Sequence, residues 1–178
     1  MKLNYAGLQD RAAWEAAGIA LPEFDWKEMC AQTEASPTWV HFGTGNIFRA
    51  FIAPVQQSLL NQGLAKGGIV AVATYDFENI NRVYLPFDCM TMAVSLLPDG
   101  SMKKELVASV AKALRAGSAH PEEREALMEI FRKPSLQLAS TIITEKGYAL
   151  MAWAHAAGPF AKSASAWGKN RPLISVSA

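Results

Sequence analysis

The sequence predicts an α/β fold with a largely parallel sheet, and three observations carry that prediction. Apolar runs at residues 39–42, 69–74 and 136–144 have the composition and length of buried strands. A helical pattern fills residues 46–61, between the first two runs, and another fills residues 121–132, ahead of the third. Strand, helix and strand in this order form a βαβ unit, in which the strands are parallel and the crossover is right-handed.

Residues 1–37 predict a helical lead-in without a strand. Short helices fit residues 11–17 and 25–32, and Pro22 and Pro37 are breakers on either side of the second. We expect three aromatic side chains to pack this segment on the main domain: Trp14, Phe24 and Trp26.

The helix over residues 46–61 is expected to kink or restart at Pro54, because proline cannot donate the helical hydrogen bond. Gly63 is expected to end it. Residues 90–97 predict another strand that closes on a turn at residues 97–100. Residues 106–114 fit either a helix or a returning strand, and we expect a hairpin that runs into a helix.

The first strand ends in a Gly-x-Gly turn that leads directly into a helix. A dinucleotide site needs one glycine for the sharp turn, a second for backbone approach to the pyrophosphate, and a helix N-terminus behind them. Gly43 and Gly45 meet the first two needs. Phe48 stands where a third glycine is usual, which predicts a wider contact or a different tilt between helix and strand, and Arg49 adds a cation. The same two glycines also fit an ordinary strand–helix corner, but the strand–helix–strand context favours the nucleotide site.

Polar residues follow the second and third strands. An acidic residue after the second strand binds the adenosine ribose in such sites, and Asp76 holds that position, although a solvated loop aspartate fits equally well. Asp76 there would favour NAD over NADP, and Arg82 weakens that argument. Glu145 and Lys146 follow the third strand, at the sheet edge where ligands sit, but an exposed strand–loop junction carries such charges anyway.

Composition excludes several classes of partner. The net charge is +1 and no basic run exceeds two residues, so we expect binding to neither nucleic acid nor an anionic membrane. No apolar run reaches the roughly 18–20 residues of a membrane span, and the charged N-terminus does not resemble a signal peptide. Two separated cysteines and three scattered histidines lack the spacing of a metal site. We expect a cytoplasmic protein without a metal.

Two motifs resemble signatures of the mannitol dehydrogenase family, the polyol-specific long-chain dehydrogenases and reductases. Residues 41–50, HFGTGNIFRA, resemble its N-terminal fingerprint, in which Gly-x-Gly-Asn is followed by a two-residue gap and Arg. Residues 144–148, TEKGY, match its Thr-Glu-x-Gly-Tyr signature. The resemblance covers residues 39–150 and is nearest to the fructuronate reductase, or mannonate oxidoreductase, branch.

The resemblance implies an NAD-dependent oxidoreductase of polyols or hexuronates, with NADP as an alternative cofactor. Asp76 would bind the adenosine ribose, although members of the branch often place an acid at the position of Ala73. The remaining cofactor-binding residues that it implies are Phe42, Gly43, Thr44, Gly45, Asn46, Ile47, Phe48 and Arg49 at the pyrophosphate, with Thr144 and Glu145 near the nicotinamide.

The resemblance also implies a division into a lead-in (1–37), a Rossmann-type NAD(P)-binding domain (38–150) and the start of a linker (151–178). The family's catalytic lysine lies in a later, helical substrate domain, and no lysine here matches its motif, so no catalytic residue is assigned. We expect a truncated chain that binds nucleotide without turning over substrate. Apolar surface that the later domain covers would favour self-association. Two alternatives stay open: a non-catalytic nucleotide-binding module, and a Rossmann domain for S-adenosylmethionine.

Overall fold

A computed structural model of the chain describes residues 1–143, which form two sheets flanked by helices. None of the helices in this part is both long and apolar enough to cross a membrane. The strands are β1 (Ile19–Ala20), β2 (Trp39–Phe42), β3 (Ile69–Ala73), β4 (Thr91–Leu96), β5 (Met102–Val107), β6 (Val110–Arg115) and β7 (Leu138–Thr141). The helices are α1 (Tyr5–Leu8), α2 (Arg11–Ala16), α3 (Trp26–Ala35), α4 (Ala53–Asn61), α5 (Phe77–Asn79) and α6 (Pro121–Arg132), with π-helical turns at Phe48–Ile52 and Ile80–Tyr84 and a 3₁₀ turn at Leu85–Phe87.

The main sheet has four strands in the order β6-β3-β2-β7, and every neighbouring pair is parallel. Counted within this sheet, the order is 3-2-1-4, as in a Rossmann half-domain. The chain reverses its direction of travel across the sheet between β2 and β7, and in sheets of this kind ligands bind at such a point, outside the carboxyl ends of the strands. The predicted α/β fold with a largely parallel sheet is confirmed.

Both faces of the main sheet are covered, which explains why its strands read as continuous apolar runs. All five residues of β3 are buried. On one face Val40, Val70 and Val72 pack with Leu127 and Ile130 of α6. On the other face the cluster contains Phe48, Ala53, Ile69, Ala71, Ala73, Ile80 and Tyr84.

A smaller sheet has the order β1-β5-β4 and corrects two expectations. Ile19 and Ala20 pair in parallel with β5, so the lead-in does contain a short strand. The β4–β5 hairpin turns near Gly100, whose φ of +81° suits glycine, as the turn signal predicted. The chain then continues as β6 rather than as the expected helix, because residues 106–110 are buried on all sides and β3 takes β6 as its neighbour.

The lead-in packs on the hairpin through the aromatic residues that the sequence identified. Trp14 is buried, and its indole Nε1 donates a hydrogen bond of 2.8 Å to the Gly7 carbonyl. Phe24 and Trp26 pack partly buried in the same cluster. This contact is confirmed, whereas the domain boundaries at residues 37 and 150 remain a prediction.

The predicted helix over residues 46–61 is present, and its irregularity precedes Pro54. The π-helical turn Phe48–Ile52 ends where α4 begins, and the Ala53 N–H bonds to the Phe48 carbonyl, five residues back. Pro54 then falls in the first turn of α4, where a missing N–H is tolerated. The helix ends before Gly63, whose φ is +69°.

Candidate nucleotide-binding site

The turn after β2 requires glycine at its first position. Gly43 has a φ of +133°, a region that side chains with a Cβ rarely adopt. A Cβ there would also lie 3.4 Å from Nε2 of His41. The Gly43 N–H donates a 3.0 Å hydrogen bond to the Val72 carbonyl, which fastens the turn to the neighbouring strand.

Gly45 has open space where a side chain would stand. Apart from its two chain neighbours, no atom of the described residues lies within 4 Å of a Cβ built on it. Packing within the described residues therefore does not require glycine here, and the exposed backbone can be approached by a ligand. The Gly45 carbonyl accepts the first helical bond, from the Arg49 N–H at 3.2 Å. The N–H groups of the first helical turn are thus free to bind an anion.

Phe48, at the position of the missing third glycine, packs inward instead of facing the site. Its ring is 1% exposed and stacks on the imidazole of His41, with ring centroids 4.5 Å apart. The π-helical turn begins at this residue. The wider helical turn and the aromatic stack together replace the close helix–strand contact that a glycine would allow.

His41 is a core residue beneath the turn, as expected from its place in a buried strand. Its Nδ1 lies 2.8 Å from Oγ of Ser140 on β7, and the same Oγ accepts a 2.7 Å bond from the Trp39 indole. Burial lowers the pKa of His41, so the neutral ring is favoured. Its Nε2 has no partner among the described residues.

Two residues that sequence reasoning missed hold the middle of the turn. The Thr44 carbonyl accepts hydrogen bonds from Nδ2 of Asn79 at 2.7 Å and from the Tyr84 hydroxyl at 2.9 Å. Burial raises the pKa of Tyr84 well above its usual range, although the nearby Arg49 opposes that shift, so the hydroxyl remains a donor. Neither residue belongs to a recognisable motif, and both lie far from the turn in sequence, so no local signal could have revealed them.

Arg49 provides a cation at the start of the helix. Its guanidinium donates to Oδ1 of Asn46 and lies 6.0 Å from the centre of the Tyr84 ring. It forms no ion pair with any residue in the described part of the chain. Together with Asn46 it lines a cavity of about 270 Å³ that reaches Thr91 and Met92. A cation without an acidic partner is available to an anionic ligand.

Asp76 lies beyond the end of β3, at the expected edge of the sheet. Its Oδ1 accepts a 3.3 Å bond from the Asn79 N–H, and it lines a second cavity of about 270 Å³ with Glu78, Asn79, Arg82 and Val83. Ala73, where the branch often has an acid, is buried in the core cluster. In this chain position 73 therefore faces the protein interior.

The third expected strand is β7, which is shorter than residues 136–144 and ends at Thr141. Its end adjoins the turn, because the Ile142 N–H lies 3.4 Å from the Phe42 carbonyl. Thr144 and Glu145 lie outside the described residues. Within those residues no cluster of acids, histidines or cysteines could hold a metal ion.

No family model matches the chain. Over 148 residues it is 49% identical to the D-mannonate oxidoreductase of Thermotoga maritima. The fold is also similar to two solved structures, a substrate-free D-sorbitol dehydrogenase and the mannitol 2-dehydrogenase of Pseudomonas fluorescens in a ternary complex with NAD and D-mannitol. The chain belongs to the mannitol dehydrogenase family. The family expected from the two motifs, and its mannonate oxidoreductase branch, are thus confirmed.

The chain spans only about a quarter of each of these relatives in the mannitol dehydrogenase family. The match takes up 83% of the chain and 27% of the D-mannonate oxidoreductase. The sorbitol dehydrogenase is 26% identical with a TM-score of 0.61, over 74% of this chain and 26% of its own. The mannitol 2-dehydrogenase is 23% identical with a TM-score of 0.65, over 83% and 28%.

Proposed function

We propose that the chain is the cofactor-binding part of an NAD-dependent oxidoreductase that acts on a sugar acid or polyol, of the mannonate or mannitol type. One observation carries the proposal: an open Gly-x-Gly turn at the carboxyl end of β2, in a chain 49% identical to a D-mannonate oxidoreductase. The NAD and D-mannitol in the mannitol 2-dehydrogenase complex support the choice of ligands.

The chain's own residues suit the parts of NAD. The exposed N-terminus of the helix fits the negative charge of the pyrophosphate, as does Arg49, which has no acidic partner within residues 1–143. Asp76 fits the hydroxyls of the adenosine ribose. We assign the backbone from Phe42 to Gly45 to binding of the same cofactor, together with Asn46 and Ile47. Phe48 contributes indirectly, because its ring stacks on His41 beneath the turn. The roles of Thr144 and Glu145 near the nicotinamide remain predictions.

Bound NAD would supply the carbon that exchanges a hydride with a sugar alcohol. We assign the described residues to binding and orienting that cofactor, and no proton-transfer step. The imidazole nearest the turn, His41, is enclosed in the core and cannot reach a substrate from there. The chain by itself is therefore expected to bind nucleotide without oxidising mannonate or mannitol.

Titration of the purified chain with NADH, followed by nicotinamide fluorescence, tests the proposal. We expect saturable binding that Gly45→Val weakens at least tenfold, because the new side chain occupies the open space over the turn. Ser58→Val, at an exposed position farther along the same helix, is the control and should bind like wild type. Wild type that binds no NADH at millimolar concentrations would refute the proposal.

Competition separates the alternative functions. If NADPH displaces NADH with equal affinity, the chain binds both cofactors. Displacement of NADH by S-adenosylmethionine would favour the alternative hypothesis, a Rossmann domain for S-adenosylmethionine. Production of NADH from mannonate or mannitol by the chain alone, lost in Gly45→Val, would contradict the expectation that it only binds. NADH binding without any such turnover agrees with that expectation.

We also propose that the chain self-associates through an exposed apolar helix face. The inward side of the helix over residues 46–61 carries two buried glutamines, Gln56 and Gln57. Gln56 donates a hydrogen bond to the Gly67 carbonyl. Gln57 donates to the Glu105 carboxylate and the Leu106 carbonyl and accepts from the Ala108 N–H. The outward side of this helix also carries large apolar side chains, which a surface helix usually turns towards the core. This apolar helix face comprises Ile47, Phe51, Val55 and Leu59, all exposed. The expected cytoplasmic location, and the expectation that the chain does not bind nucleic acid, remain predictions.

A further inference from the structure

We propose that Asn79 is a positioning residue that couples the Asp76 end of the site to the phosphate-binding turn. The inference rests on the proposed cofactor-binding function and goes beyond it, by assigning to a residue outside every motif the orientation of the turn. Asn79 lies in the short helix α5, which follows β3 and stands beneath the turn.

The side chain of Asn79 fixes the middle residue of the turn. Nδ2 donates to the Thr44 carbonyl at 2.7 Å and lies 3.0 Å from the Thr44 hydroxyl oxygen. Thr44 is itself only 6% exposed, and the Asn79 side chain that reaches it is half-buried. The Tyr84 hydroxyl donates to the same carbonyl at 2.9 Å. A carbonyl that accepts a bond from each of two side chains has its direction set by both donors.

Fixing that carbonyl also fixes the next N–H group. The Thr44 carbonyl and the Gly45 N–H belong to one planar peptide unit, and in a trans peptide they point in opposite directions. No cis peptide bond occurs in the described residues. With the carbonyl held inward by Asn79 and Tyr84, the Gly45 N–H is directed to the open side of the turn, where a phosphate oxygen would accept it.

The backbone of Asn79 reaches the other part of the site. Its N–H donates to Oδ1 of Asp76 at 3.3 Å, which orients the carboxylate assigned to the ribose. One residue thus holds the ribose acid through its main chain and the phosphate turn through its side chain. A ligand that uses both parts, such as ADP-ribose, should depend on the Asn79 amide more than adenosine, which carries no phosphate.

Asn79→Leu keeps the shape of the side chain and removes its donors. We expect it to weaken ADP-ribose binding about tenfold, the effect of losing roughly 1.4 kcal/mol of hydrogen bonding. Adenosine affinity, measured by competition, should change less than twofold. Asn81→Leu is the matched control, because Asn81 is exposed in the same segment and bonds to Glu78 and Arg115 but not to the turn. It should leave both affinities unchanged.

A second readout needs no ligand. The ¹⁵N relaxation order parameter of the Gly45 amide should fall in Asn79→Leu from the value of rigid backbone, about 0.85, towards that of a flexible loop, about 0.6. Tyr84→Phe, which removes the other donor with little change in shape, should lower it in the same direction. An unchanged order parameter in both variants would overturn the proposal, as would equal losses for ADP-ribose and adenosine. Wild type that fails to bind ADP-ribose would refute the cofactor function alone, and the order parameter would still decide the role of Asn79.

Discussion

At the scale of single residues, the turn combines two glycines that serve different ends. Gly43 is required by its backbone conformation, whereas Gly45 is required by nothing in the described part of the protein. A glycine that internal packing does not need leaves space for a ligand. This contrast between neighbouring glycines is the strongest local argument that the turn is a binding element and not an ordinary corner.

The contrast gives a stability prediction. Gly43→Ala should lower the free energy of unfolding by about 1–3 kcal/mol, because it forces a Cβ into a strained region of φ. Gly45→Ala should change that free energy by less than about 0.5 kcal/mol, as expected at a surface site without contacts. Urea unfolding of the two variants checks this, and similar losses in both would contradict it.

The sequence predicted the site only where a residue's role is local. Gly43, Gly45 and Asp76 could be proposed from the sequence because each follows the end of a strand, and their binding roles stay predictions. Asn79 and Tyr84 could not be found, because their contact with Thr44 depends on how a helical segment folds back under the turn. The His41–Phe48 stack likewise joins a strand residue to a helix residue, and no one-dimensional pattern records that pairing.

At the scale of secondary-structure elements, α6 is attached to β6 by a half-buried ion pair between Glu123 and Arg115. The Glu123 carboxylate accepts bonds from the Arg115 backbone N–H at 2.6 Å and from the Arg115 guanidinium. Burial alone would raise the pKa of Glu123, but these bonds outweigh it, and the net pKa lies below the usual value. Glu123 also stands in the first turn of α6, where the helix dipole favours an anion.

The shifted pKa gives a pH-dependent prediction. A carboxylate whose pKa is lower in the folded state stabilises the protein above its unfolded pKa, here near 4.5, and this contribution is lost as the pH falls through the folded pKa. Glu123→Gln should therefore cost about 1–3 kcal/mol at pH 7 and progressively less below pH 4.5.

Urea unfolding over that pH range measures the difference. Glu122→Gln is the matched control, because Glu122 is exposed in the same helical turn and makes no bond to Arg115. Its effect should be a few tenths of a kcal/mol, the size of an exposed charge near a helix end. A Glu123→Gln cost that stays constant from pH 7 to pH 3.5 would show that the ion pair is not its source.

The sequence predicted an element correctly where its own apolar pattern fits one type of secondary structure. The prediction failed at β6, whose pattern fits two. Residues 106–114 have apolar positions that fit either a helix or a returning strand, and a hairpin that runs into a helix was expected. In the fold, Leu106, Val107 and Val110 are buried between two sheets, and the outer edge of β3 is paired by β6. Pairing of β6 with β3, which is distant in sequence, decided against the helix that residues 106–114 also fit, as tertiary packing commonly does.

At the scale of the whole molecule, the polarity of the helix over residues 46–61 has a consequence for solution behaviour. Its glutamines satisfy backbone groups inside the fold, beside the buried Phe48 and Leu60, and four further large apolar side chains face outward. Hydrogen-bonded glutamines are tolerated in a core, but contiguous exposed apolar groups usually mark a contact surface. The only charged residue in this helix, Arg49, sits at its first turn, so charge does not oppose the meeting of two such faces.

We therefore expect the chain to self-associate in a concentration-dependent way, with the apolar helix face at the contact. Phe51, 68% exposed at its centre, is the residue whose change to glutamate should weaken association most, by at least tenfold, because a charge would be buried without a partner. Leu96→Glu is the control, since Leu96 is 78% exposed on the separate β4 strand. Sedimentation velocity from micromolar to several hundred micromolar protein measures both variants. A wild type that stays monomeric throughout, or a Leu96→Glu variant that dissociates as readily as Phe51→Glu, would show that this helix face is not the contact.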